Sequence, residues 1–119
     1  MKKLLVAALA VTAGALSIAG GGVGIALVDP TPTYGERVFI SLEGGGLSKH
    51  TSDTISMTCT QNGSLVSQAS STAAGYGAYF QLGPTASWNG GSALCTAQLL
   101  KASKKGWQVE DSLTFNVAG

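Results

Sequence analysis

Charged side chains are scarce in this sequence. Asp, Glu, Lys and Arg make up 11% of the 119 residues, and seven cations against six acids leave a formal net charge of +1. Lys2 and Lys3 precede a long apolar run, and without them five cations face six acids, a net charge of −1. A near-neutral domain gives no electrostatic reason to bind nucleic acid, so we expect no nucleic-acid partner.

Histidine is nearly absent, which limits the chemistry that the chain can carry. His50 is the only one, with Ser48, Ser52 and Asp53 nearby. A hydrolase triad also needs a buried carboxylate that orients the imidazole, and an oxyanion hole. The glycine-rich segment around His50 indicates neither, so we interpret His50 as a solvent-exposed turn residue. We predict that the protein is not an enzyme and binds no cofactor.

Cysteine occurs only twice, at Cys59 and Cys95. Structural zinc needs four ligands, and two thiols with the distant His50 do not supply them, so we expect no metal site. An even cysteine count in an exported chain favours one disulfide. Closing a loop of about 37 residues contributes about 4 kcal/mol in the loop-entropy model, which is comparable with the whole stability of a small domain.

The one long apolar run lies at the N-terminus. Residues 4–28 contain no charge and follow Lys2 and Lys3, which is the order of an export signal. Two interpretations stay open. Either Ser17-Ile18-Ala19 is a cleavage site behind a signal-peptide core at residues 4–16, or the whole run remains in the bilayer as a helix about 37 Å long. We expect a cell-membrane protein with its domain outside, or a secreted one.

Composition divides the chain into three segments. Residues 1–28 are the signal peptide or transmembrane anchor, which is a hydrophobic helix in either case. Residues 29–35 are a linker that Pro30 and Pro32 make stiff. Residues 36–119 are the folded domain, and no stretch of them shows a sustained helical period.

Alternating apolar and polar residues predict strands throughout this domain. The clearest strand is residues 54–60, which the dipeptide Asn62-Gly63 follows at once. That dipeptide is typical of a tight hairpin turn with positive φ. Further strand-like segments lie at residues 37–42, 64–68, 76–82, 93–100, 107–110 and 113–117. Six to seven strands at this spacing predict an all-β, antiparallel β-sandwich.

Both cysteines are in phase with the apolar residues of their strands, so we expect both thiols to face the core. A disulfide between two inward faces would connect one sheet to the other. The segments at residues 53–60, 92–99 and 112–117 resemble immunoglobulin-like modules in secreted and surface proteins of bacteria. The resemblance implies an immunoglobulin-like sandwich in which Cys59 and Cys95 form the bridge.

Two marks of antibody-type domains are missing from these segments. Such domains place a tryptophan soon after the first cysteine and a tyrosine two residues before the second. Here the first tryptophan after Cys59 is Trp88, and Ala93 stands at the tyrosine position. The resemblance therefore extends to the architecture and does not imply antibody-type recognition.

The aromatic residues offer candidate ligand contacts. Tyr76, Tyr79, Phe80 and Trp88 could line a carbohydrate platform or a small-ligand cleft, although a small sandwich also needs large side chains to fill its core. Trp107 is the fifth candidate contact, because it stands beside a group of lysines.

Lys101, Lys104 and Lys105 form the only basic cluster near an aromatic residue. They could contact phosphate or an acidic wall polymer, or they could be a hairpin tip whose lysines keep an edge soluble while Trp107 lies over the core. The adjacent acids Glu110 and Asp111 are interpreted as a solvated turn, because neighbours on a strand point to opposite faces.

These observations predict a non-enzymatic, exported immunoglobulin-like module that acts in surface interaction or adhesion. Its partner would be an unknown surface protein or glycan, and the membrane itself if the N-terminal helix is uncleaved. The alternative is a secreted small-ligand carrier. Secreted bacterial apoproteins that sequester antibiotic chromophores are similar in architecture and size, but they carry two disulfides where this chain can form one.

Overall fold

The computed structural model describes residues 22–119, which form seven β-strands and one short 3-10 helix at Leu47–His50. The strands are β1 Val23–Leu27, β2 Arg37–Gly44, β3 Thr54–Gln61, β4 Ser64–Thr72, β5 Gly77–Gln81, β6 Ala93–Ser103 and β7 Gly106–Val117. The predicted all-β class is confirmed.

The strands are arranged in two antiparallel sheets. One sheet has the order β1-β2-β5, and the other has the order β4-β3-β6-β7. Apolar side chains from both sheets form a single buried cluster between them. The predicted β-sandwich of six to seven strands is therefore confirmed at the level of its architecture.

Strict alternation explains why the central strands form where the sequence predicts them. In β3 every second residue is buried, namely Ile55, Met57 and Cys59, while the residues between them are half-buried. The turn after β3 is the predicted hairpin: Asn62 has φ 51° and Gly63 has φ 83°. Positive φ is unfavourable for most residues that have a Cβ, but glycine adopts it freely and asparagine more readily than most, so this dipeptide favours the turn.

The last part of the N-terminal apolar run that the structure describes contains a strand. Val23–Leu27 forms β1 and pairs along its whole length with β2. Val23 and Ile25 are buried against the core. The predicted helix that continues through Val28 is therefore wrong for these residues, because their apolar side chains fill the sandwich and do not face lipid. The signal peptide or anchor predicted before them lies outside the described residues, and in residues 22–119 no helix could span a bilayer.

Residues 29–35, predicted as a stiff linker, are hydrogen-bonded to the sandwich. The backbone N–H of Tyr34 donates to the carbonyl oxygen of Ala118 at 2.8 Å, and Thr33 forms a β-bridge with Ala118. The segment therefore crosses one end of the sandwich between β1 and β2. It is a part of the folded unit and not a spacer ahead of it.

The disulfide forms between the predicted cysteines but lies within one sheet. Cys59 of β3 and Cys95 of β6 are direct register partners, and their Cα atoms are 4.0 Å apart. Both residues are buried, as their phase predicts. The expectation that the bridge connects the two sheets is wrong, because alternation shows that a side chain faces inward and does not show which sheet carries it.

Candidate functional site

The two ends of the sandwich differ in what they expose. One end carries the helix Leu47–His50, the connection between β4 and β5, and the hairpin of β6 and β7, so we call it the arm end. The other end carries the turn at Asn62-Gly63, residues 29–35, and the connection between β5 and β6. We call it the opposite end.

A two-stranded arm extends the four-stranded sheet at the arm end. The pairing of β3 with β6 stops at Thr54 and Leu100, whereas β6 and β7 continue to pair as far as Ser103 and Gly106. We call residues 101–109 the arm. Because no third strand pairs with it, both of its faces are open, and every arm residue is exposed.

The arm ends in a tight turn. Ser103 Oγ donates a hydrogen bond to Gly106 O at 2.7 Å and accepts one from Lys105 N at 3.3 Å. Gly106 has φ 108°, an angle that favours glycine. This geometry holds the side chains of Lys104 and Lys105 at the outermost point of the hairpin.

One face of the arm is apolar. Residues that are direct partners across two strands share a face, and Ala102 pairs with Trp107 while Leu100 pairs with Val109. Trp107 is 62% exposed and Val109 is 51% exposed. The other face carries Lys101, which pairs with Gln108. The arm is therefore amphipathic, with its lysines beside and behind an exposed indole ring.

Outside the arm, the outer face of the four-stranded sheet carries no charged side chain. Side chains that are neighbours across the strands form rows on this face, and in one row Thr96 Oγ1 lies 3.3 Å from Thr114 Oγ1. The register places hydroxyl and amide side chains on this face, namely Thr54, Ser56, Thr58, Thr60, Gln68, Ser70, Thr72, Thr96, Gln98, Ser112, Thr114 and Asn116. The lysines of the arm are therefore a local feature of this sheet and not part of a basic face.

His50 belongs to a cluster beside the base of the arm. Its Nδ1 lies 2.7 Å from Asp53 Oδ2 and 3.4 Å from Glu110 Oε1, and its side chain is 18% exposed. The interpretation of His50 as a solvent-exposed turn residue is wrong, because the 3-10 helix folds it back over Asp53, which is itself buried. Asp53, three residues after His50, is the feature of the sequence that indicates this contact.

A β-bulge explains why two adjacent acids both point inward. Leu99 pairs with Asp111 and Leu100 pairs with Val109, so Glu110 is the additional residue in β7. Asp111 is buried, and its Oδ2 accepts the backbone N–H of Ile25 in β1 at 2.9 Å. The prediction of a solvated turn at Glu110 and Asp111 is wrong for this reason.

Glu110 has an unusual electrostatic environment. Burial raises its pKa above the ordinary value, and a hydrogen bond with Asp53 and the negative charge of Asp53 raise it further. The positive charges of His50 and Lys101 oppose this effect. Oε1 of Glu110 is buried and has no hydrogen-bond partner among the described residues.

His50, Asp53 and Glu110 together could offer ligand atoms to a metal ion. One atom from each of them lies within 4.8 Å of the others, and no second group of this kind occurs in residues 22–119. A site with three ligands could accept a divalent cation, but the imidazole Nδ1 is already hydrogen-bonded to Asp53. The arrangement also fits a hydrogen-bonded link between the helix Leu47–His50 and β7.

The predicted aromatic platform does not form a single surface. Trp88 is fully buried and Phe80 is 5% exposed, so both rings are core residues. Tyr76 and Tyr79 are 49% and 60% exposed. Both are near or on β5 in the other sheet, whereas Trp107 lies on the arm.

Tyr79 has its own neighbours on the outer face of the three-stranded sheet. Its ring centroid lies 4.7 Å from that of Phe39, and the guanidinium carbon of Arg37 lies 4.6 Å from the Tyr79 ring centroid. This group is satisfied by contacts within the chain. Of the exposed candidate rings, Tyr76 and Trp107 have no aromatic or cationic partner of this kind within residues 22–119, and Trp107 is the more exposed of the two.

No protein-family model, no curated protein and no solved structure matches this chain.

Proposed function

We propose that this protein is an exported, non-enzymatic, immunoglobulin-like module that makes surface contacts through its arm. The observation that carries the proposal is the arm itself, a hairpin whose residues are all exposed, with Trp107, three lysines and no covering element among residues 22–119. A partner can bind to an exposed hairpin of this kind without any change in the sandwich.

The strand order supports the immunoglobulin-like assignment. Constant-type immunoglobulin domains place the first, second, fifth and fourth strands in one sheet and the third, sixth and seventh in the other. This chain has the same seven strands in the same places except for β4, which pairs with β3 in the second sheet. We therefore propose an immunoglobulin-like topology in which the fourth strand has changed sheets.

Two observations support export. Lys2 and Lys3 precede an uncharged run, and the Cys59–Cys95 disulfide requires an oxidising compartment to persist. Cleavage after Ala19 would place only three glycines before β1. The apolar residues of β1 would then be buried in the core and not left as an exposed mature N-terminus. We therefore propose cleavage at this site.

Site-specific photo-crosslinking tests the role of the arm without assuming a partner. A photoreactive residue replaces Gln108 on the arm, and a matched variant carries it at Gln68 on the outer face of β4. In an exporting bacterium that makes the full chain, we expect adducts of protein, glycan or lipid from position 108 only. Adducts from neither position, or from position 68 alone, would contradict a contact role for the arm.

Export and cleavage are tested by a separate experiment. N-terminal sequencing of the protein from the expressing cells should give a mature N-terminus at Gly20, and both cysteines should resist alkylation until a reductant is added. Cytoplasmic material with two alkylatable thiols would contradict export. An intact N-terminus in the membrane fraction would contradict cleavage alone.

A further inference from the structure

Positive charge is concentrated at the arm end. The five Lys and Arg residues of the described chain are Arg37, Lys49, Lys101, Lys104 and Lys105. Arg37 begins β2 at the opposite end, while Lys49 is in the 3-10 helix and the others are in the arm. Four of the five cations therefore extend from one end of the sandwich.

The carboxylates at this end do little to offset that charge. Asp53 is buried against His50, and Asp111 is buried where it accepts the Ile25 N–H. Glu110 is 18% exposed and has a pKa raised by burial. The remaining acid is Glu43, at the end of β2 in the other sheet. The arm itself therefore carries lysines and no carboxylate, and the nearest acid to Lys101 is the mostly buried Glu110 at its base.

Apolar surface accompanies the charge. Trp107 and Val109 lie two residues apart on the same face of the arm and are more than half exposed. Keeping such side chains in water is unfavourable. Tryptophan and lysine together are the residue types that favour the boundary between hydrocarbon and lipid headgroups, where the ring is partly dry and the ammonium group meets phosphate.

The chain also enters the sandwich at the arm end. Val23, the first residue of β1, pairs with Gly44, and the next element after β2 is the helix Leu47–His50. The uncharged residues 4–22 directly precede Val23 in the sequence. During export, the end of the domain nearest to the membrane is therefore the end that carries the arm.

We propose that the arm docks on an anionic phospholipid bilayer, with Trp107 and Val109 entering the headgroup region and Lys101, Lys104 and Lys105 contacting lipid phosphates. This rests on the proposed function, because it names the partner of the same contact surface. A soluble polyanion would satisfy the lysines but would leave the apolar face of the arm in water. A bilayer surface accommodates both.

Tryptophan fluorescence tests this docking in the full chain. The two tryptophans report separately, because Trp88 is buried and Trp107 is exposed, and residues 1–21 contain no tryptophan. With vesicles of phosphatidylcholine and phosphatidylglycerol, we expect a blue shift in emission and quenching by brominated acyl chains. Both effects should be absent with phosphatidylcholine alone and in the Trp107→Phe variant, even if the N-terminal run inserts into both vesicles.

Matched variants separate charge from apolar contact. Replacing the three arm lysines by glutamine should lower the partition of Trp107 into anionic vesicles roughly 100-fold, since each lysine near an anionic surface contributes about 1 kcal/mol. Tyr79→Ala, which removes an exposed ring from the other sheet, should leave partition unchanged.

Three outcomes would overturn the docking proposal. One is an unchanged Trp107 emission with anionic vesicles, and another is an equal shift with neutral vesicles. The third is a shift with dissolved polygalacturonate but not with vesicles, which would assign the arm to an acidic polysaccharide. In each case adducts from position 108 in cells would leave the contact role of the arm standing, so the two proposals fail separately.

Discussion

The two tryptophans of this chain lie at opposite ends of the sandwich and have opposite environments. Trp88 is fully buried at the opposite end, where its ring centroid lies 5.3 Å from that of Tyr34 and its Nε1 donates to Gly91 O at 3.0 Å. Trp107 is 62% exposed on the arm. The difference shows that residue type does not decide burial; the presence of a covering segment does.

The charged residues follow the same division. At the opposite end, Asp29 Oδ1 accepts Thr31 N and Glu36 Oε1 accepts Thr33 N, so these acids stabilise the backbone of the segment that covers Trp88. The arm end exposes lysines that have no such local role. One end is therefore closed by its own connections, and the other is left open.

Replacing each tryptophan by alanine should give the largest contrast between the ends. Trp88→Ala should lower the free energy of unfolding by about 3–5 kcal/mol, because it empties a packed site. Trp107→Ala should change it by less than about 0.5 kcal/mol, because an exposed ring leaves no cavity. Urea denaturation of both variants measures this, and equal losses would show that the arm is packed in solution.

Removing the disulfide should affect both ends together. The double variant Cys59→Ala, Cys95→Ala should lose about 2–4 kcal/mol of unfolding free energy, since the bridge joins β3 to β6, two strands that run between the ends. Hydrogen exchange in the variant should rise at the opposite end and at the base of the arm alike. A rise confined to one end would show that the sheet does not unfold as a unit.

Asp111→Ala should weaken the arm end selectively. The substitution leaves the buried N–H of Ile25 without its carboxylate acceptor, which should lower the unfolding free energy by about 1.5–3 kcal/mol. Hydrogen exchange at Ile25 should accelerate. The matched change at the opposite end is Asp29→Ala, whose bond to Thr31 N is exposed. It should cost less than about 1 kcal/mol, and an equal loss would remove the distinction.

Glu110→Gln should produce the smallest effect, visible as a change with pH. A carboxyl group whose pKa is raised on folding stabilises the protein below its ordinary pKa of 4.5 and loses that contribution as pH rises through the higher value. Glutamine imitates the protonated form, so the variant should gain stability relative to the wild type as the pH rises above 4.5 and through the raised pKa of Glu110. Thermal denaturation across this range measures it, and a constant difference would contradict the raised pKa.

Much of the four-stranded sheet could be predicted from alternation. The strand at Ile55, Met57 and Cys59, the turn at Asn62-Gly63 and the inward direction of both cysteines are local properties, because each depends on a period of two or on backbone angles. The strand β1 could not be predicted in this way. Its apolar residues continue a longer apolar run, and only pairing with β2 distinguishes a buried strand from a membrane helix.

The candidate sites could also be predicted only in part from local sequence. The predicted hairpin tip with exposed lysines agrees with the structure. The expectation that Trp107 lies over the core is wrong, because Trp107 is on an arm that no other element covers and is 62% exposed. The cluster of His50, Asp53 and Glu110 joins residues about 60 positions apart and depends on a bulge, which has no reliable signature in β7. Its members therefore looked like separate turn residues.

By itself the sequence determined the all-β class, the pairing of its two cysteines in a disulfide and the hairpin turns. These depend on composition and on neighbours along the chain. Only the tertiary structure decided which sheet holds the disulfide, that Val23–Leu27 completes the sandwich, and that Trp88 is enclosed while Trp107 is not. These outcomes depend on which strands lie side by side, and that is set by packing between residues far apart in sequence.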